Sequence, residues 1–156
     1  MKDDRTFLLH TVKLASGGIE TGAGPFAAII VKDGDIIAEA VNSVVLTTDP
    51  TAHAEVNAIR KAASGLKTHD LHGCTLYCSC EPCPMCLGAI YWSGIQKVVY
   101  ASDRNDAARA GFSDKEIYDE ISLNPESRKI GFIQIENTGG DQVFRKWVEY
   151  EKKIPY

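Results

Sequence analysis

The chain has 156 residues, of which 44% are apolar and 24% charged, a size and composition that fit one soluble globular domain with a single core. Its 21 acidic against 17 basic side chains give a net charge of -4, which argues against a protein that grips long nucleic acid through a basic footprint. The opening MKDDRTFLLH turns polar where a secretory segment would build up apolar residues, and no apolar run reaches the length of a membrane span. A cytoplasmic protein is therefore expected. In that compartment the five cysteines point to metal or catalysis rather than to disulfides, and an odd number cannot pair fully within one chain.

Along the chain, DDRTFLLHTVKLASGG (3–18) places Phe7, Leu8, Val12, Leu14 and Ala15 near helical period, with Gly17 and Gly18 as a stop. FAAIIVK (26–32) and IIAEAV (36–41) read as strands joined by an Asp33-Gly34-Asp35 hairpin turn. Residues 42–49 read as loop. Asp49-Pro50 has the form of a helix start, with Asp as cap and Pro in the first turn, and predicts a helix to about Ser64 that Gly65 ends. CTLYCSC (74–80) is a strand that stops at Glu81-Pro82. A helix over 83–92 follows, ended by Gly94, and KVVYAS (97–102) is a short buried strand. Residues 103–113 read as loop, 114–121 as a short helix, 130–136 as a final alternating strand and 143–153 as a last helix. The order α-β-β-α-β-α-β-α-β-α predicts a sheet sandwiched between helices.

Three cysteines fall within seven residues in CEPCPMC (80–86), and HAEV (53–56) stands upstream. Cys83 and Cys86, three apart, share one helix face and can reach one ion at zinc–sulfur distance. Both lie in a first helical turn, where the backbone N–H groups and the macrodipole favour thiolate. His53 is expected in the first turn of its own helix. If both helices follow strands of one sheet, the three groups meet above its carboxyl edge. Three protein ligands leave zinc an open fourth position, and Glu55, two residues from His53, is a candidate proton carrier. A closed structural site of Cys78, Cys80, Cys83 and Cys86 is the alternative, used in a catalytically inert interaction domain. Cys74, Cys78 and Cys80 otherwise read as strand packing, with Cys80 behind the ligands. His10, His69 and His72 read as structural or surface groups.

The joint pattern H-A-E then P-C-P-M-C matches the signature H-x-E…P-C-x-x-C of the zinc deaminases of nucleobases. Nearly the whole chain resembles the cytidine deaminase-like superfamily. GPFAAIIVKDG (24–34), TDPTAHAEV (48–56), SCEPCPMCLGAIYW (79–92) and AGFSDKEIY (110–118) resemble its bacterial guanine deaminase branch. The resemblance implies a three-layer α/β/α domain with a central five-stranded mixed sheet. It implies one zinc per subunit on His53, Cys83 and Cys86, with Glu55 as proton shuttle and Asp114 assisting. It implies Asn42, Phe26, Ala54, Trp92 and Tyr156 around a purine base. It also implies a homodimer in which the segment of about 140–156 is exchanged and Tyr156 closes the partner's pocket. The reaction implied is hydrolysis of guanine to xanthine and ammonia, with guanosine, cytosine or tRNA adenosine as alternative substrates. The chain departs from the branch at SVVLT (43–47) and at Ile154-Pro155. By residue type alone, Phe26 also fits a core position, Trp92 a packing role, Asp114 a helix cap and Asn42 a turn.

Overall fold

Strand β1 (Ala27–Lys32) is the axis of the architecture, buried on both faces because helices cover both sides of its sheet. The computed structural model describes residues 3–155. β1 pairs antiparallel with β2 (Asp35–Val41) on one side and with β3 (Thr75–Cys80) on the other, and β3 pairs in parallel with β4 (Lys97–Ser102). The result is a mixed sheet in the order β2-β1-β3-β4. The hairpin between β1 and β2 turns at Asp33 and Gly34, both at positive φ (52° and 87°), as the tight turn requires. A bulge between Ile30 and Val31 shifts the register of that pair.

Alternation along β1 divides the core. Ile29 and Val31 face helix α1 (Asp4–Glu20), where Phe7 and Tyr77 complete a small cluster with ring centroids 5.2 Å apart. Ala28 and Ile30 face the other side. There Ala54, Ala58 and Ala62 of helix α3 (Ala54–Leu66) and Ile90 of helix α4 (Pro84–Trp92) pack with Leu71, Leu76 and Cys78. The three alanines, four apart, let α3 lie close on the sheet. Layers of helix, sheet and helices follow. The remaining elements are α2 (Val44–Thr47), α5 (Arg104–Arg109), α6 (Lys115–Ile121), a 3-10 turn at Pro125–Ser127 and α7 (Gly140–Glu149). The chain forms two compact units, Met1–Glu116 and Ile117–Tyr156.

Several expectations are corrected, among them the loop at 42–49, which holds α2, and the buried strand at 97–102, none of whose residues is buried. The sheet has four strands among the described residues, not five: 130–136 forms no ladder, and Ile130, Ile133 and Ile135 are each more than seven-tenths exposed. Alternation marks a face that needs cover, but it supplies no backbone partner, and 130–136 has none in this sheet. The Asp49-Pro50 start is also displaced. The Asp49 carboxylate accepts from the Thr51 N–H (2.8 Å) and hydroxyl (2.7 Å), so it closes a turn, and the helix begins at Ala54. Its end passes Gly65 and falls on Lys67 in the left-handed region, because the Lys67 N–H can still reach the Ala63 and Ser64 carbonyls. Finally, 103–113 holds α5, which Asp103 opens with a reciprocal capping box to Asp106.

Candidate metal and active site

Strand direction gathers the site. β2 and β3 both run opposite to β1, so they run the same way, and β4 runs with β3. Their carboxyl ends therefore lie along one edge, together with the start of β1. α3 begins after β2 and α4 directly after β3, which sets both helix N-termini above that edge. Phe26 precedes β1, Asn42 follows β2 and Asp103 follows β4, so all three stand on the same edge.

His53 occupies the N-cap position of α3 and Cys83 that of α4, each in extended conformation (ψ 154° and 169°). Neither side chain caps its helix. They turn toward each other instead: His53 Nδ1 lies 3.5 Å from Cys83 Sγ and 3.5 Å from Cys86 Sγ, and the two sulfurs are 3.6 Å apart. Tetrahedral zinc, with bonds of about 2.3 Å to sulfur and about 2.0 Å to nitrogen, has ligand–ligand edges of roughly 3.8 Å (S–S) and roughly 3.5 Å (N–S). The triangle matches those edges, and two soft sulfurs with one imidazole nitrogen suit zinc. Among the described residues this is the set that could hold a metal. Cys78 is buried in β3, and the Cys80 thiol donates to the Asp103 carbonyl at 3.6 Å, so the four-sulfur alternative is not assembled.

The contact with Cys86, with His53 beside it, holds Cys83 well below an ordinary thiol, while the same contact and burial push Cys86 up. His53 is raised, first by its bond to Cys83. Metal binding requires both thiols to be deprotonated.

Glu55 is the second residue of α3 and is 8% exposed. Helical spacing of two would point it away from His53, but His53 sits off the helix, so that rule does not apply. The Glu55 carboxyl is within hydrogen-bond reach of Cys86, and burial raises its pKa above the usual carboxylate range. Ala54 between them is fully buried. Asp114 precedes α6 and is half-buried. Burial pushes the Cys80 thiol up to about 11, and the charges of Glu55 and Asp114 both add to that.

Asn42 is half-buried, and its Oδ1 accepts from the Val44 N–H at 3.1 Å. Phe26 meets Phe112 edge-on, with centroids 4.9 Å apart. Trp92 ends α4, about 12 Å along the helix axis from Pro84 by its rise of about 1.5 Å per residue. It is 75% exposed. Tyr156 lies outside the described residues. His10 and His72 are surface groups, paired with Glu39 (2.6 Å) and Asp70 (3.6 Å), and His69 is exposed.

Sequence reasoning overlooked two polar residues. Arg104 grips the Glu81 carboxylate with its backbone N–H (3.1 Å), Nε (3.1 Å) and Nη2 (2.5 Å), and so ties the residues before Cys83 to the start of α5. Asn57, one turn beyond His53, donates to three oxygens at the mouth of β2. The signal for the first was a carboxylate just before the cysteine pair; for the second, an amide on the ligand's helix face.

Comparison with known proteins accords with this geometry. The family profile described as "Cytidine and deoxycytidylate deaminase zinc-binding region" matches residues 1–102. A guanine deaminase of Bacillus subtilis (strain 168) is 52% identical over 152 residues, covering 97% of each chain. The X-ray structure of guanine deaminase from Bacillus subtilis superposes with a TM-score of 0.97 at 51% identity, over 99% of both chains. A tRNA-specific adenosine deaminase of Aquifex aeolicus is 44% identical over 119 residues, 76% of this chain and 78% of its own.

Proposed function

We propose that this chain, which belongs to the cytidine and deoxycytidylate deaminase zinc-binding family, hydrolyses guanine to xanthine and ammonia. The observation that carries the reading is the triangle of His53 Nδ1, Cys83 Sγ and Cys86 Sγ, with a buried carboxyl beside it. The likeness to a guanine deaminase over almost the full length of both chains selects the base.

His53, Cys83 and Cys86 would hold zinc, which when bound would acidify a water toward neutral pH. The reaction forms a C–O bond at the ring carbon that carries the amino group and breaks its C–N bond. Glu55 takes the proton of the attacking water on a carboxylate oxygen and passes it to a ring nitrogen. Its raised pKa suits a group that must both accept and release a proton near pH 7. Asp114 shares in delivering a proton to the departing ammonia.

Asn42 reads the purine edge: its Oδ1 is partly engaged by Val44, while Nδ2 donates to no other described residue and is available to a ring carbonyl. Phe26 and Ala54 line the pocket, and Trp92 adds an aromatic face. The acidic net charge of -4 disfavours a tRNA phosphate backbone as the ligand.

The functional unit is a homodimer with the segment of about 140–156 exchanged. Within Ile117–Tyr156 no described residue is buried, and Val143, Phe144 and Val148 of α7 are each at least two-thirds exposed, so this unit calls for cover. The five free cysteines fit the reducing cytoplasm. No helix among the described residues is long and apolar enough to cross a membrane.

The direct test is xanthine formation from guanine by the zinc-loaded protein. It should disappear on chelation and return with zinc; xanthine formation that survives complete metal removal would end the reading.

A further inference from the structure

Asn57 holds the loop that carries Asn42 against the segment that carries His53. It lies on α3 one turn after His53, and its own N–H donates to the His53 carbonyl at 2.9 Å. Its side-chain Nδ2 lies 3.0 Å from Ser43 Oγ, 3.2 Å from the Val41 carbonyl and 3.2 Å from the Ala52 carbonyl. Two of these partners can only accept, so the amide orientation is settled by chemistry: nitrogen faces the loop. Val41 and Ser43 flank Asn42, and Ala52 precedes His53. A direct backbone bond from the Ser43 N–H to the Ala52 carbonyl (2.9 Å) runs beside the amide, and the Asn42 N–H is fixed to the Phe26 carbonyl (2.9 Å). One half-buried side chain thus spans 14 and 16 residues of sequence and clamps both neighbours of Asn42.

We infer that Asn57 is a positioning residue for substrate recognition: it sets where the Asn42 amide stands relative to the His53 ligand, and hence where the purine edge rests relative to the reacting centre. This rests on the reading of Asn42 as the base-contacting residue. The amide holds with two hydrogens shared among three oxygens, so it resists sliding of the loop in more than one direction. Asn57→Ala removes the clamp and leaves only the single Ser43–Ala52 bond. A shift of about 1 Å in a recognition group is worth up to roughly 10²-fold in rate.

The test is a double-mutant cycle on the zinc-loaded protein with guanine: N57A, N42A and N42A/N57A, each with zinc content and KM and kcat measured separately. N57A should keep one zinc per subunit and lose roughly 10- to 100-fold in kcat/KM, mostly through KM. The double variant should be no worse than N42A, because Asn57 acts through Asn42. Multiplying losses in the double variant would overturn the inference, as would loss of zinc from N57A, which would make Asn57 a support of His53 alone. N42A with unchanged kcat/KM would remove Asn42 from recognition and take this inference with it, whereas a damaged N42A beside a fully active N57A would reject Asn57 only. Should N57A not fold, S43A removes the shortest contact from a loop position. KM for guanine then rises several-fold, or the inference fails.

Discussion

Replacing Glu55 by Gln keeps the volume and hydrogen-bonding shape of a side chain that is 8% exposed, but removes its capacity to carry a proton. His53, Cys83 and Cys86 are untouched, so zinc content should stay at one per subunit. A positioned general acid–base is worth about 10²–10⁴-fold, or roughly 3–5 kcal/mol of barrier. Burial decides where in that range the loss falls: a carboxyl screened from bulk solvent has no ready substitute in free water, so E55Q belongs at the upper end. Glu55→Asp separates chemistry from geometry. It keeps the carboxyl but retracts it by one carbon–carbon bond, about 1.5 Å, out of hydrogen-bond reach of a group placed for Glu. The cost should be about 10²-fold. The ranking E55Q below E55D below the parent, at constant zinc, is read from ammonia release with a coupled assay and metal analysis on the same samples. E55Q that keeps a tenth or more of parental turnover with full zinc would refute the proton-carrier role.

Cys83 occupies a helix N-cap without capping, so C83S should abolish turnover yet, in chelator, stabilise the protein by up to about 1 kcal/mol in urea denaturation; a lower stability than the chelated parent would contradict this. Leu76 is fully buried among Ile30, Ala58 and Ile90, and L76A should cost about 3–5 kcal/mol by the same method, against less than 1 kcal/mol if the cluster is not a true core. The guanidinium of Arg104 holds the Glu81 carboxyl below its ordinary value. A folded pKa below the unfolded one means that this contribution is complete above the unfolded value of about 4.3 and is lost as pH falls through the folded one. The melting-temperature gap between the parent and R104L should therefore narrow as pH drops below about 4.3, and a gap that stays constant to pH 3 would exclude the ion pair as its source. Removal of residues 140–156 should convert a dimer to a monomer in light scattering and depress kcat/KM; a monomeric, fully active parent would refute the exchanged segment.

The metal triangle was legible because two constraints agree: Cys83 and Cys86 three apart at a helix start, and strand order that sets His53 on the same edge. The helix start itself was misplaced from Asp49 to Ala54, since an Asp-Pro pair serves a turn as readily as a cap. That displacement matters chemically: it puts His53 at the N-cap rather than inside the helix, and so lets His53 and Glu55 face one pocket. The expected strand at 130–136 failed for a different reason. The apolar residues Ile130, Phe132, Ile133 and Ile135 are all exposed and report a surface that needs cover, whether by a sheet, a helix or a second chain. Asn57 and Arg104 left only weak signals. Each is one polar residue without period, and its partners are oxygens brought near only by the fold. α5 could have been found, because Asp103 and Asp106 have capping-box spacing.

The most direct measurement is ammonia release by the zinc-loaded protein offered guanine, guanosine, cytosine, adenine and a tRNA anticodon stem-loop in parallel. Rapid turnover of guanine, with the others at background, is the predicted result. Turnover of the stem-loop or of cytosine in preference to guanine would contradict the base assignment while keeping the metal site. No ammonia from any of the five, with one zinc bound per subunit, would contradict the catalytic reading itself.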